Sequence, residues 1–443
     1  MDAVNVASVY LNGANSSDLF KTIFGMSLMP NTQDDEGNFF SRHGLIGMTT
    51  MDRESMHPIQ KLQDINSAQG KKFRCYLGGF LVGEPDIGRK TASDNAQTLQ
   101  RSYFDFETVA VYGRAMEIPD NVPNKQTAIP IIQNYSRALR EWWGNLSEEL
   151  IITMGLCSMR GQADNYEALT TLQGAGNDTA TASASGLTET MAELAKVNPL
   201  FPPQIQFTAW HDKLNFTSAI NPSAATADGG KIKFSDIRAI QTFLAEQNRK
   251  LRGVRLEPGR MGATMQDGEK SPSRGWTWLI NPAVRRSLLD NLTAGEYADI
   301  ALKQVQATGK SRSITDGEVD RLYGFDFITY RKMPRYFGGA SGDVPISRTM
   351  ILGKQACVFG VRSHSIPANL RAGFNERMLQ MSNWGMPVRT WVHQENKGRY
   401  GTLQSEAHIG ISAMYWKNVD GSRIDTGRIA YDCTVQSSYN DIV

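Results

Sequence analysis

The spacing of apolar side chains along the chain predicts a mixture of helices and strands without a repeating unit. The strongest helical signal lies at 130–160. Apolar residues recur there at Ile131/Ile132, Tyr135, Leu139, Trp142, Leu146, Leu150, Met154 and Cys157, in steps of three and four. Pro130 suits a first helical position, and Gly155 and Gly161 mark candidate ends. About 30 residues at 1.5 Å each give a rod of roughly 45 Å, far beyond the usual helix. Two β-rich runs, FRCYLGGFLVG and RSYFDFETVAVYGRAM, flank the polar stretch EPDIGRKTASDNAQ within 73–116. Phe104, Phe106, Thr108 and Ala110 alternate onto one face. A hairpin tip of about 17 polar residues greatly exceeds a simple turn.

Further elements follow downstream. LTETMAELAK (187–196) reads as a short amphipathic helix. Ser235 is placed to cap a helix presenting Ile237, Ile240, Leu244 and Leu251. WTWLI (276–280) reads as a buried strand, and Asn281-Pro282 as the N-cap and first residue of a helix over PAVRRSLLDN. YGFDFITYRKM (323–333) and HIGISAMYW (408–416) alternate as strands, and SRTMILGKQACVFGV (347–361) is a strongly apolar core segment. The stretch 174–186 reads as a loop, and stretches rich in small polar residues and glycine follow at 221–230 and 258–275. Residues 1–72 carry scattered apolar islands and no long helical period, so a neighbouring subunit is expected to hold them. The fold class is α+β, without the βαβ rhythm of a doubly wound nucleotide-binding domain.

Composition narrows the function. The 443 residues carry 47 Lys+Arg against 45 Asp+Glu, a formal charge of +2, which argues against a dedicated nucleic-acid binder. Hydrophobic residues at 40% and aromatics at 9% exclude a disordered chain. Cys75, Cys157, Cys357 and Cys433 lie far apart and form no C-x-x-C pair, the usage of free thiols in a reducing compartment. The first residues lack a basic region, and no apolar run approaches 18 residues, so neither a secretory signal nor a membrane span is expected.

Catalytic signatures are absent from the sequence. The Gly-Lys pairs lack the upstream glycine of a phosphate loop, and no G-x-S-x-G elbow occurs. The histidines (His43, His57, His211, His364, His393, His408) are dispersed and form no zinc pattern. His211-Asp212 would point to opposite faces of a strand. Asp316, Glu318 and Asp320, and Asp290, Glu296 and Asp299, read as solvated faces. In Trp142-Trp143 the first indole falls on the apolar stripe and reads as core. Catalytic, cofactor-binding and metal-ligating roles are therefore assigned to no residue, and no cofactor is expected.

The ordered series of the long polar-tipped hairpin, ALREWWGNLSEELIITMGLCSMRG, WTWLINPAVRRSLLDN, YGFDFITYRKMPR, SRTMILGKQACVFGV and WGMPVRTWVHQENKGRYG resembles the major capsid proteins of tailed bacteriophages. It looks closest to the family typified by the coliphage N-four major capsid protein, over about residues 75–416. The resemblance implies the Hong Kong 97-type capsid fold. It implies an N-terminal arm at 1–72, an extended β-hairpin loop at 73–122 and a peripheral domain at 123–230 with a spine helix at 130–160. An axial domain at 231–345 and returning peripheral strands at 346–420 follow, with a C-terminal tail at 421–443 of uncertain place.

The function implied is self-assembly into the icosahedral head around a double-stranded DNA genome, without enzymatic activity. The implied partners are copies of the chain as hexamers and pentamers, decoration, scaffolding and portal proteins, and packaged DNA through weak non-specific contact. No membrane is involved. The implied place is the virion, after assembly in the bacterial host cytoplasm. Lys90 and Asn95 lie near the hairpin tip, but an isopeptide crosslink between such residues is not expected. Because Met1 opens the sequence, a cleaved scaffolding segment is not expected either. Two alternatives stand beside this reading: the shell of a cellular nanocompartment of the same fold, and a soluble hydrolase with an unrecognised site.

Overall fold

The structure, a computed structural model of the full chain, describes residues 39–49, 57–62, 72–78, 101–113, 116–118, 139, 142–158, 194, 196–198, 200–210, 224–226, 230–246, 256–260, 274–290, 321–340, 344–362, 376–381, 386–395, 400–417 and 423–435. In chain order the elements begin with α1 (Phe39–Arg42), β1 (Ile46–Thr49), β2 (Ile59–Leu62), β3 (Lys72–Gly78), β4 (Arg101–Glu107), β5 (Val109–Tyr112) and β6 (Met116–Ile118). Helix α2 follows, described over 142–150 and continuing as a π-wound stretch, Ile151–Cys157. Next come β7 (Gln206–Thr208), α3 (Phe234–Glu246), β8 (Gly259–Arg260), β9 (Arg274–Ile280), α4 (Pro282–Asp290), β10 (Arg321–Leu322), β11 (Phe325–Thr329) and β12 (Arg335–Gly338). The chain ends with β13 (Val344–Leu352), β14 (Cys357–Arg362), β15 (Glu376–Met381), β16 (Met386–Glu395), β17 (Tyr400–Ala413), β18 (Tyr415–Lys417), β19 (Arg423–Asp425) and β20 (Arg428–Thr434).

Two large sheets organise these elements. The first runs β1-β2-β14-β17-β16-β15, with β5 and β6 added on β17. The second runs β10-β11-β9-β13-β20-β7, with β12 on β13 and β8 on β9. The fold is thus mixed α+β. Helix α2 lies against β14 and β17, and its whole π-wound end is buried. That approach needs Gly155, where a Cβ would stand 3.2 Å from both Cys357 Sγ and Ile411 Cγ2.

The second sheet has its own core. Ile237, Ile240 and Leu244 of α3 and Val284 and Leu288 of α4 cover Trp278, Ile351 and Tyr431. Trp278 stacks on Phe327 with centroids 5.1 Å apart and donates its indole N–H to Thr349 Oγ1 at 2.9 Å. Helix α4 begins as its sequence predicts: the Ala283 N–H donates to Asn281 Oδ1 at 2.9 Å, and Pro282 needs no acceptor.

Several expectations are corrected. The cap of α3 is not Ser235. The helix starts one residue earlier, and the Asp236 carboxylate reaches back to the Lys233 N–H at 3.3 Å. Asp236 also accepts from Tyr431 OH at 2.8 Å, a long-range contact that local pattern does not reveal. Of the indole pair, Trp143 is the fully buried one, donating to Ser405 Oγ at 3.0 Å, while Trp142 is half-buried against the same core. The apolar segment 347–361 supplies strands to both sheets, dividing at residues 353–356 into β13 of the second and β14 of the first. Tyr323 and Gly324, at φ 49° and 82°, form the two-residue turn between β10 and β11 rather than starting a strand.

The described part of 1–72 also differs from an arm lying wholly across a neighbour. Phe40, Leu45 and Ile59 are fully buried in the chain's own core, and β2 pairs parallel to β14. The start of α1 is held by the Glu148 carboxylate, which accepts from the Phe39 N–H and from Tyr330 OH. The tail finds a place too. Strand β20 lies between β13 and β7, and all seven of its residues are buried.

Buried charges join the two sheets at the end of α2. The last carbonyls of a helix have no partner within it. Here arginines serve them: Arg428 donates to the Gly155 and Leu156 carbonyls at 3.4 and 3.2 Å, and Arg348 to that of Cys157 at 3.4 Å. Arg348 also grips Asp432 through two bonds of 2.9 and 2.8 Å, and Tyr336 OH donates to the same carboxylate at 2.6 Å. Burial and the adjacent Asp432 charge both push the Tyr336 phenol well above its ordinary range.

Candidate assembly surface

Strands β3 and β4 pair antiparallel as a separate ribbon, with Tyr76 opposite Tyr103, Arg74 opposite Asp105 and Phe73 opposite Phe106. Alternation sorts the ribbon into two faces. Leu77, Phe104 and Phe106 turn inward onto Val358, Met414 and Trp416. The opposite face presents Arg74, Tyr76 and Tyr103. Tyr76 is 71% exposed and Tyr103 49%, the exposed large hydrophobic side chains among the described residues.

These outer side chains are organised rather than loose. The tyrosine ring centroids are 6.4 Å apart, and the Arg74 guanidinium sits 4.3 Å from the Tyr103 centroid. Arg74 meets Asp105 with two bonds of 2.8 and 3.1 Å, which raise the guanidinium and hold the Asp105 carboxyl below the usual carboxylate range. Tyr and Arg are the residue types enriched where protein surfaces meet. The pattern that marks Phe104 and Phe106 as one face implies Tyr103 and Asp105 on the other. Their exposure follows from the register with β3, which the sequence alone does not supply.

Among the described residues no group of three or more His, Cys, Asp or Glu side chains could hold a metal ion. His57 Nδ1 lies 2.8 Å from the Gly44 carbonyl, and His408 Nε2 lies 3.0 Å from Glu406 Oε1. His211, Asp212, His364, Lys90, Asn95, Glu296, Asp299, Asp316, Glu318 and Asp320 lie outside the described residues. All four cysteines are free. Burial pushes Cys75, Cys157 and Cys357 up to about 12, and Cys433 well above its ordinary value. No helix of the described residues is long and apolar enough to cross a membrane.

The two-sheet α+β fold matches that of solved phage capsid proteins. The chain is similar to the capsid of Ralstonia phage GP4, with a TM-score of 0.60 at 16% identity over 90% of this chain and 91% of that one. It is similar to the capsid of Cyanophage Pam1 (TM-score 0.54, 13% identity, 91% and 93% covered) and to the head of Helicobacter pylori bacteriophage KHP40 (0.52, 11%, 90% and 91%). No family model and no curated protein matches the chain. Identities this low carry the fold, and they do not single out the coliphage N-four type.

Proposed function

We propose that the chain is a major capsid protein that self-assembles into the icosahedral head of a tailed phage around double-stranded DNA. One observation carries the reading. The likeness to the Ralstonia phage GP4 capsid spans 90% of this chain and 91% of that one, so the shell fold accounts for nearly the whole polypeptide. The Tyr76–Tyr103 face supplies an apolar surface for a neighbouring copy, as hexamers and pentamers require. Many weak contacts of this kind add up in a closed lattice. Scaffolding, decoration and portal proteins are the further partners of such a shell, which assembles in the host cytoplasm and ends in the virion. A net charge of +2 suits a wall that confines DNA without gripping phosphates. The role asks no catalysis of any residue.

Negative-stain microscopy of the purified full chain tests the proposal. Closed shells of uniform diameter are expected, and their dissociation to single chains on boiling in detergent would agree with the absence of a Lys90–Asn95 crosslink. A monomer with a radius of gyration of about 22 Å that never assembles would refute it. Particles from the native source should contain DNA; shells filled with a protein cargo would point to a nanocompartment.

A further inference from the structure

The two ends of β4 are tied to the rest of the chain by side-chain-to-backbone clasps: the side chain of its Ser102 grips the backbone of Lys417, and the side chain of Asn198 grips the backbone of its Glu107. At one end Ser102 Oγ accepts from the Lys417 N–H at 2.7 Å and donates to the Lys417 carbonyl at 3.0 Å. At the other end Asn198 Oδ1 accepts from the Glu107 N–H at 2.7 Å, and its Nδ2 donates to the Glu107 carbonyl at 2.6 Å. Both gripping side chains are buried, Ser102 at 3% and Asn198 at 2% exposure. Each clasp occupies both hydrogen-bonding groups of one backbone residue. The two are five residues apart, about 17 Å along a strand.

Two separated points define an axis, whereas one point permits a pivot. The packing between the clasps is apolar and sets no direction by itself. Phe104 lies 5.3 Å from the Tyr415 ring, and Phe106 packs beside Gly410. A Cβ at Gly410 would stand 2.6 Å from the Glu107 carbonyl, so β17 reaches the ribbon's root closely. Hydrogen bonds, unlike these contacts, are directional. Glu107 is also where the chain leaves the ribbon: β4 ends there, and β5 begins at Val109 in the first large sheet.

We propose that Asn198 and Ser102 are positioning residues that fix the direction of the β3–β4 ribbon on the body of the subunit, and through it the angle at which copies meet. The second half of this statement rests on the shell-forming reading. A small rotation at the root is magnified along the ribbon, so losing one clasp alters curvature more than it alters the subunit's core.

The test uses the full chain with two readouts. Nitroxide labels at Tyr76→Cys and Glu246→Cys, in a Cys75→Ser background, report ribbon direction in the unassembled chain by pulsed electron resonance. Particle diameters by microscopy report curvature. Asn198→Ala and Ser102→Ala should each broaden the label distance distribution and give shells of mixed diameter. Ser102→Thr, which keeps the hydroxyl, should match the parent in both. A lowered unfolding midpoint with unchanged label distances and one shell diameter would overturn the proposal, leaving the clasps as ordinary stabilising bonds. Where an alanine variant does not fold, Asn198→Ser, whose shorter hydroxyl withdraws from the Glu107 backbone without burying a charge, takes its place under the same criteria. A parent chain that forms no shells would sink the capsid reading, while the label distances would still decide whether the clasps aim the ribbon.

Discussion

Replacing Arg428 by Met should destabilise the folded chain strongly. Arg428 is fully buried. Besides the two α2 carbonyls, it donates to the Phe201 carbonyl at 2.7 Å and lies 3.2 Å from Asp425 Oδ1. Its Nε is 3.1 Å from Asp425 Oδ2 but is not aligned for a hydrogen bond, so the bonds that count are those of the two terminal nitrogens. Met keeps much of the stem and removes the charge. Asp425, 2% exposed, would then retain only the Gln204 N–H at 2.9 Å as a named partner. Breaking a buried pair from one side costs about 3–5 kcal/mol, and each carbonyl left unpaired adds about 1–3 kcal/mol where water cannot reach it. A loss of at least about 3 kcal/mol is expected. The assay is the urea midpoint at constant slope, followed by tryptophan fluorescence and far-UV circular dichroism, whose coincidence tests cooperativity. Adding Asp425→Asn should recover about half of the loss, because the uncompensated charge is gone. A single variant costing under about 1 kcal/mol, or a double variant no better than the single, would refute the reasoning.

Tyr76→Ser with Tyr103→Ser should raise the concentration needed for assembly by about tenfold or more, equivalent to at least about 1.4 kcal/mol per contact, while the unfolding midpoint stays put; unchanged assembly would remove the ribbon's outer face from the interface. Burial pushes the Lys61 ammonium down to about 8 from its ordinary 10.5. Between those values the unfolded chain binds more protons, so this site's contribution to stability rises with pH; wild type should be less stable than Lys61→Met at pH 7, and the gap should close toward pH 10. A gap that does not change with pH would contradict this. With their thiols raised by burial, none of the four cysteines should react with a thiol reagent at pH 8 in the folded subunit, and all four should react in denaturant. Replacing Arg348, Asp432 and Tyr336 together by Met, Leu and Phe should leave the urea midpoint equal or higher, yet blur the near-UV spectrum and the uniformity of shells; sharp spectra and uniform shells would show the buried ions to be dispensable for a unique structure.

Elements whose signals are local were legible in the sequence. Asn281-Pro282 starts α4 because cap and first-turn chemistry involve only neighbours. The strands around 73–110 were readable because one face is buried and the other is not, so alternation survives. Where both faces are buried, alternation vanishes. Strand β20 reads Arg-Ile-Ala-Tyr-Asp-Cys-Thr, and its Arg428 and Asp432 look like surface residues until Asp425 and Arg348 are found beside them. The preference for Trp142 over Trp143 as the core indole failed for another reason. Steps of three and of four from Leu139 both fit a 3.6-residue turn, and only the distant Ser405 hydroxyl decides between them. The proposed assembly face was half legible: Tyr103 is implied by its inward neighbours, but its pairing with Tyr76 is a matter of register.

The placement of the charged groups has a physical logic. One apolar cluster already contains residues of both sheets, and its dispersion contacts are individually weak and undirected. The junction adds directional bonds to it. Helix α2 packs on the first sheet through β14 and β17, while its carbonyl end is held by Arg348 of β13 and Arg428 of β20, strands of the second. A shift of an ångström there would cost whole hydrogen bonds to buried charges, not fractions of a contact. Apolar side chains could hold the sheets together as strongly, but they would not leave so narrow a set of relative positions. In the proposed shell that narrowness has a use, because any looseness between the two sheets would be repeated at every contact between copies. The buried pairs therefore contribute more to a single shape than to stability, and the ribbon clasped at Ser102 and Asn198 extends the same use of directional bonds out to the surface.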